Sequence, residues 1–301
     1  MPGMARGFDW EGKARVFKPL RDGQLAAPLE TSQIPGLVDT MLRQRFLCPI
    51  PESSFASTII LGYGYPMVRG SNHFQIRRAA DRFHSNHGWL DSYHTFSFAG
   101  HDHPDHRGFG PLRVINDDTV APGRGFGSHP HQSMEIFSYV ISGELEHKDS
   151  MGHGRVIKEG EFQYLSAGNG VIHSEFNPSS EHPVHFLQIW LQPRQPGGEP
   201  RYHDYDLRAH AAGRPLTLIA SPDGRDDSIA IRADGEILFG HLQAGESIAF
   251  SHRRRRHWIH LISGELALDT EVIKPGDGVA IDGPLPAFQA PSESSFFLFS
   301  L

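Results

Sequence analysis

The sequence predicts an all-β protein built as two tandem antiparallel β-barrels of the jelly-roll type. Two observations lead there. Short runs rich in Val, Ile, Phe and Tyr recur between Gly, Pro, Asn and Asp punctuation from about residue 75 onward, the pattern of many short strands joined by tight turns. A strand–turn–strand unit also occurs twice. Residues 139–145 read YVISGEL and 260–266 read HLISGEL, followed by VIKEGE at 156–161 and VIKPGD at 272–277. A repeated unit of this kind is most economically a duplicated fold. No heptad or sustained 3.6-residue period competes with it.

Taken in order, residues 1–74 are expected to be an N-terminal extension, poorly structured or an over-extended start, because Met67 lies just before the compact patterning begins. Within it, 33–46 (QIPGLVDTMLRQRF) is the one candidate for a short amphipathic helix, starting after Pro35. Residues 75–205 are expected to form the first barrel, with strands at 136–141, 156–158 and 185–191. The stretch 193–214, rich in Pro, Gly and Arg, reads as the linker. Residues 206–301 are expected to form the second barrel, closing on a strand at 296–301. Gly143 and Gly264, in the two ISGEL turns, supply the positive φ that a tight hairpin asks for.

Composition narrows the function. The 301-residue chain carries a net charge of −7 and a sequence pI near 6.3, which argues against a nucleic-acid binder relying on a bulk positive field. A single cysteine, Cys48, rules out an internal disulfide or a CxxC site. No apolar run is long enough to span a membrane. Asp9 and Glu11 interrupt the place where a signal peptide needs its apolar core. Cytoplasm is the expected compartment.

The chemistry-bearing residues are His129-Pro130-His131 and His173-Ser174-Glu175. Each pair of metal-ligand side chains is spaced i, i+2, which on a β-strand puts both on one face. Two such strands facing each other would bring three imidazoles and a carboxylate together. That set suits a catalytic divalent metal with coordination positions left open, whereas a closed structural zinc site would more often use cysteine. Fe(II) is the first expectation, and Ni, Mn, Co, Cu and Zn fit the same residues. Glu135 is a rival carboxylate: on a regular strand it shares parity with His129 and His131, and it could act as a ligand or orient one. Aligned on the repeat, the second copy has Phe250, His252, Gln289 and Pro291 where the first has His129, His131, His173 and Glu175. Loss of three of the four from one copy favours a site over a scaffold role.

Other signals are read more plainly. His101, His103 and His106 with Asp102 and Asp105 form a solvated loop in preference to a second metal site. Arg253 to Arg256 read as an exposed rim. Arg124 to Gly127 read as a turn, since no GK[ST] follows. Trp89, Phe96, Phe98 and Trp190 read as core in preference to substrate platforms.

Gly123, His129, His131, Glu135 and Gly143 resemble the first cupin motif, with one extra residue before the last glycine, and GVIHSEFN (170–177) resembles the end of the second. More specifically, HGWLDSYHTFSF (88–99), LRVINDD (112–118), GFGSHPHQSMEI (125–136), EHKDSMG (146–152), GEFQYLSAGNGVIHSEFNPSS (160–180) and QIW (188–190) resemble the pirin family. The resemblance covers 76–301 and implies a bicupin with one metal in the first barrel, held by His129, His131, His173 and Glu175. It favours Glu175 over Glu135 as the ligand; on this ligand set Glu175 is further expected to loosen from the metal and act as the catalytic base. It also implies quercetin 2,3-dioxygenase-like cleavage of a flavonol by O2 with release of carbon monoxide. The alternative within the same resemblance is a metal-dependent, redox-sensing regulator that binds a protein partner without turnover.

Overall fold

The computed structural model describes residues 5–8, 14–17, 74–249, 252, 254 and 256–301. The expected helix at 33–46 lies outside the described residues. Two strands near the N-terminus, β1 (Ala5–Phe8) and β2 (Ala14–Phe17), pair with each other antiparallel. After β3 (Phe74–Arg77) come β4 (Phe83–Asn86), β5 (Leu90–His94), β6 (Leu112–Val120), β7 (Gly125–His131), β8 (Glu135–Ser142) and β9 (Glu144–Asp149). They are followed by β10 (Gly154–Lys158), β11 (Glu161–Ser166), β12 (Val171–Phe176), β13 (Val184–Leu191) and β14 (Arg201–Asp206). A short helix, α1 (Leu207–Ala211), capped by Asp206, leads into the second half. That half holds β15 (Leu216–Ser221), β16 (Ile229–Ala230), β17 (Glu236–Leu242), β18 (Ser247–Ile248) and β19 (Arg256–Ser263). It ends with β20 (Leu266–Leu268), β21 (Glu271–Ile273), β22 (Gly278–Asp282), β23 (Phe288–Gln289) and β24 (Ser294–Ser300). No helix among the described residues is long and apolar enough to cross a membrane.

The two halves share most of their topology. In the first, a four-stranded sheet ordered β10-β9-β12-β7 faces a seven-stranded sheet ordered β14-β11-β8-β13-β6-β5-β4. In the second, the orders are β21-β20-β23-β18 and β3-β22-β19-β24-β17-β15-β16. The strands correspond in order except at one outer edge, where β16 runs parallel to β15 while β4 runs antiparallel to β5; this is the duplicated fold that the doubled ISGEL motif predicts, and the bicupin that the resemblance implies. One exchange was not legible. β3 precedes the first sandwich in sequence, yet it pairs with β22 of the second, with Arg77 opposite Gly278. It takes there the edge that β14 takes in the first sandwich. Arg78 fastens this strand by ion pairs to Asp277 (3.0 Å) and Glu271 (2.6 Å). Arg82 then reaches Asp117 on β6 at 2.8 Å, so one short segment grips both halves.

Strand alternation explains the packing. On β8, Phe137 and Tyr139 point to one side and join the core that lies between the two seven-stranded sheets; Ile136 and Val140 point into the first sandwich. Aromatic pairs fill the shared core. Tyr139 meets Phe297 edge-on at 5.3 Å, and Phe96 meets Trp258 at 4.9 Å. Such pairs add about 0.5–1.5 kcal/mol each beyond area burial. Phe96 is thus core, as expected.

The ISGEL glycines serve as the sequence requires. Gly143 has φ 83° and Gly264 has φ 77°. A Cβ on Gly143 would come within 2.7 Å of the Pro183 carbonyl, and one on Gly264 would overlap the Glu293 carbonyl. Gly264→Ala is expected to lower unfolding free energy by about 1–3 kcal/mol, measured by urea denaturation. An unchanged midpoint would contradict the close approach.

Burial pushes His94, His257 and His260 down to about 4. They are neutral in the fold but titrate near about 6.5 when unfolded. Between these values the unfolded chain binds more protons, so their contribution to stability falls as pH drops from about 6.5 to 4. Asp118 contributes with the opposite sign, because burial pushes its carboxyl up to about 7. The difference between the parent and His260→Phe therefore isolates one group. At pH 5 the parent should have lost on the order of 2 kcal/mol more than the variant relative to pH 7.5. Equal losses would show that His260 is not held neutral.

Candidate metal centre

β7 and β12 are neighbours in the small sheet of the first sandwich. On β12, Val171, His173 and Glu175 are buried while Ile172 and Phe176 are exposed, the period of two that the HSE spacing anticipates. His173 lies directly opposite His129, and a bulge follows between His173 and Glu175. The ring centroids of His129, His131 and His173 are 4.8, 4.5 and 4.8 Å apart. One donor nitrogen from each lies within 4.8 Å of the others.

The electronic state of these rings suits a cation. Burial lowers the pKa of all three, His131 to about 3. Each is therefore neutral near pH 7 and keeps a lone pair. His129 Nδ1 donates to the Gly127 carbonyl at 2.8 Å, which leaves its Nε2 bare. His173 Nε2 is buried with no hydrogen-bond partner among the described residues. A buried, unpaired imidazole nitrogen is costly unless something coordinates it. The donor set therefore fits a divalent metal that favours nitrogen ligands.

Glu175 is fully buried. Ser138 Oγ donates to its Oε1 at 3.1 Å and Gln188 Nε2 to its Oε2 at 2.8 Å. Burial pushes its carboxyl up to about 7, against the pull of these two bonds. It belongs to a second group, His147, His173 and Glu175, which overlaps the first through His173. Glu175 thus adjoins the three imidazoles by way of one of them.

Glu135 is not brought there. The parity count assumed one regular strand from His129 to Glu135. Instead β7 ends at His131, and the chain turns through Ser133 at φ 52° before β8 begins. Glu135 sits on the side of β8 that faces the second sandwich. There its carboxylate accepts from Tyr164 Oη (2.6 Å), Ser166 Oγ (2.6 Å) and the Arg232 backbone N–H (2.9 Å).

His147 is the residue that spacing arguments should have found. His147-Lys148-Asp149 is a third i, i+2 dyad, on β9 beside β12. Trp190 is more than core filling: its ring lies edge-on to His131 at 5.0 Å, with Phe98 edge-on to it at 5.5 Å. The aspartate- and histidine-rich loop at 101–106 forms no metal-capable group. Among the described residues such groups occur only in the first sandwich. In the second, β18 and β23 pair as β7 and β12 do, with Gln289 opposite Ser247. Ser247 thus stands across from Gln289, where the repeat alignment had put Phe250, which lies outside the described residues. His252 Nε2 is hydrogen-bonded to Glu236 Oε2 at 2.7 Å.

Comparison with known proteins matches both halves of the chain. The Pirin family model matches residues 74–191, and a model for the quercetinase C-terminal cupin domain matches 218–301. The chain is 43% identical over 228 residues to the quercetin 2,3-dioxygenase of Escherichia coli strain K12, covering 75% of this chain and 97% of that protein. The crystal structure of YhhW from Escherichia coli superposes with a TM-score of 0.71 at 42% identity, covering 76% of this chain and 97% of that one. The bacterial pirin YhhW in complex with nickel(II) gives the same TM-score of 0.71 and identity of 42%, over 76% of this chain and 98% of that one. With both cupin halves matched in order and the two histidine-bearing strands inside the matched region, the chain belongs to the pirin family.

Proposed function

We propose that the protein is a metal-dependent dioxygenase of the pirin type, with His129, His131, His173 and Glu175 as its metal ligands. Its proposed substrate is a flavonol such as quercetin. Both atoms of O2 enter the opened ring, one ring carbon leaves as carbon monoxide, and a depside remains. The observation that carries the reading is the cluster of three imidazoles, one of which, His173, also groups with the buried Glu175 carboxylate. The name of the Escherichia coli relative supports the substrate class, and the nickel(II) complex of YhhW supports a divalent metal. The proposed metal is Fe(II), with nickel(II) next.

When bound, the metal supplies Lewis acidity toward the flavonol hydroxyl and electron exchange with O2. The chain's own residues do the rest. Glu175 accepts the proton of the substrate hydroxyl as general base. Ser138 and Gln188 hold its two oxygens in place. Beside the imidazoles, Trp190, Met134, Met151 and Tyr202 pack against buried Ile136, Leu165, Ala167 and Val171. This is an apolar, partly aromatic surface suited to a flat polyphenol ring.

An oxygen electrode tests the reading. Metal-loaded protein mixed anaerobically with quercetin should leave the flavonol absorbance intact, and admitting air should start oxygen uptake with bleaching. His129→Ala should lose both metal and turnover. Uptake by that variant at the parental rate would sink the site, and no uptake by fully loaded parent would favour the regulator reading. The two glutamates should separate. Glu175→Gln should lower kcat by roughly 10²–10⁴-fold. Glu135→Gln should keep the parental metal content while losing about 1–3 kcal/mol of stability from its buried hydrogen bonds.

A further inference from the structure

Behind the imidazole cluster stands a pair that the proposed chemistry does not use, His147 and Asp149. Both side chains are completely buried. β9 lies beside β12, with Asp149 opposite His173 and His147 opposite Glu175. The Asp149 carboxylate has donors on both oxygens. Oδ1 accepts the backbone N–H groups of Met151 (2.9 Å) and His153 (3.1 Å). Oδ2 lies 3.1 Å from His147 Nε2 and 3.0 Å from His153 Nδ1. A carboxylate so placed can only accept, so the proton of His147 belongs on Nε2 and its Nδ1 is bare.

Two groups face that bare nitrogen. Gln163 Nε2 is 3.5 Å away and His173 Nδ1 is 3.4 Å away. The Gln163 amide is oriented from elsewhere, because its Oε1 accepts from Tyr202 Oη at 3.2 Å. In this orientation its N–H₂ group lies between His147 Nδ1 and Ser138 Oγ, an arrangement that agrees with Nδ1 as an acceptor. The Tyr202 ring also stacks on His147 at 5.0 Å and 22°, holding the imidazole plane. The remaining donor toward His147 Nδ1 is His173 Nδ1–H.

We propose that Asp149 and His147 are a relay of positioning residues that holds His173 in its Nδ1–H tautomer, so that its unpaired Nε2 is the atom presented to the metal. The inference rests on the metal reading of the three imidazoles. It gives His173 the same tautomer that the Gly127 carbonyl imposes on His129. Outer partners of this kind typically set metal affinity by 10–100-fold.

The tautomer and the affinity can be read separately. Long-range proton–nitrogen NMR on metal-free, ¹⁵N-histidine-labelled protein reports the ring protonation, and calorimetric titration with Ni(II) reports affinity. Wild type should show His173 protonated at Nδ1 and His147 at Nε2. In Asp149→Asn, the two backbone N–H groups at Oδ1 hold the amide oxygen there, so the amide N–H₂ faces His147. That reverses the His147 tautomer and turns its N–H toward His173. The His173 proton should move to Nε2, and Ni(II) affinity should fall by roughly 10–100-fold. His147→Gln, whose carbonyl can still accept from His173, should retain the Nδ1–H tautomer and nearly parental affinity; His147→Leu should lose both. That contrast separates the relay from mere packing, with thermal melts confirming that each variant folds. A wild-type His173 proton on Nε2, or parental Ni(II) affinity in both Asp149→Asn and His147→Leu, overturns the relay and leaves the metal reading intact. Failure of wild type to bind Ni(II) overturns the metal reading instead, while the tautomer still decides whether Asp149 and His147 act on His173.

Discussion

Burying polar side chains inside a β-sandwich is the constraint on which the rest of this structure depends. Each buried donor or acceptor must find a partner or cost about 1–3 kcal/mol. The first sandwich meets that demand with a row of polar residues in direct cross-strand register on the inner face of its large sheet. His94 stands opposite Asn116, Asn116 opposite Gln188, Gln188 opposite Ser138, and Ser138 opposite Gln163. The middle of this row grips Glu175, and its end reaches His147. From the facing sheet the metal-capable imidazoles project toward it.

The second sandwich shows what the same positions look like without that duty. The corresponding register runs Leu218, Leu238, Leu298, Ile259 and Val279. All are apolar, and most belong to one buried cluster. Along this line the two large sheets contrast: in one the row hydrogen-bonds a carboxyl, and in the other it packs as hydrocarbon. An apolar interior is the cheaper way to stabilise a sandwich, so the polar row marks the half that holds the metal-capable imidazoles. The apolar copy supplies a firm partner, joined through the aromatic layer between the large sheets and through the segment from β3 to Arg82.

The tautomers of the imidazoles follow from the same bookkeeping of donors and acceptors. His129 is oriented by a backbone carbonyl two residues earlier in its own strand. His173 has no such local acceptor and is oriented across strands by His147. The difference in origin matters: the first is built by one turn of chain, and the second requires β9 and β12 to pair in their particular register.

Much of this was legible in the residues. The i, i+2 pairs place His129 with His131, and His173 with Glu175, on inward faces because strand period is a local property of the backbone. The doubled ISGEL and VIK segments announce two copies of one fold, and glycine at the turns follows from φ alone. What the sequence could not decide are the relations between strands distant in the chain. Parity along a segment says nothing once a turn intervenes, which is why Glu135 shares a count with His131 yet faces the other sandwich. The capture of β3 by the second sandwich, the polar row across five strands and the Asp149–His147–His173 line all depend on register between strands. Register is set by which faces bury together, and that is a property of the folded whole.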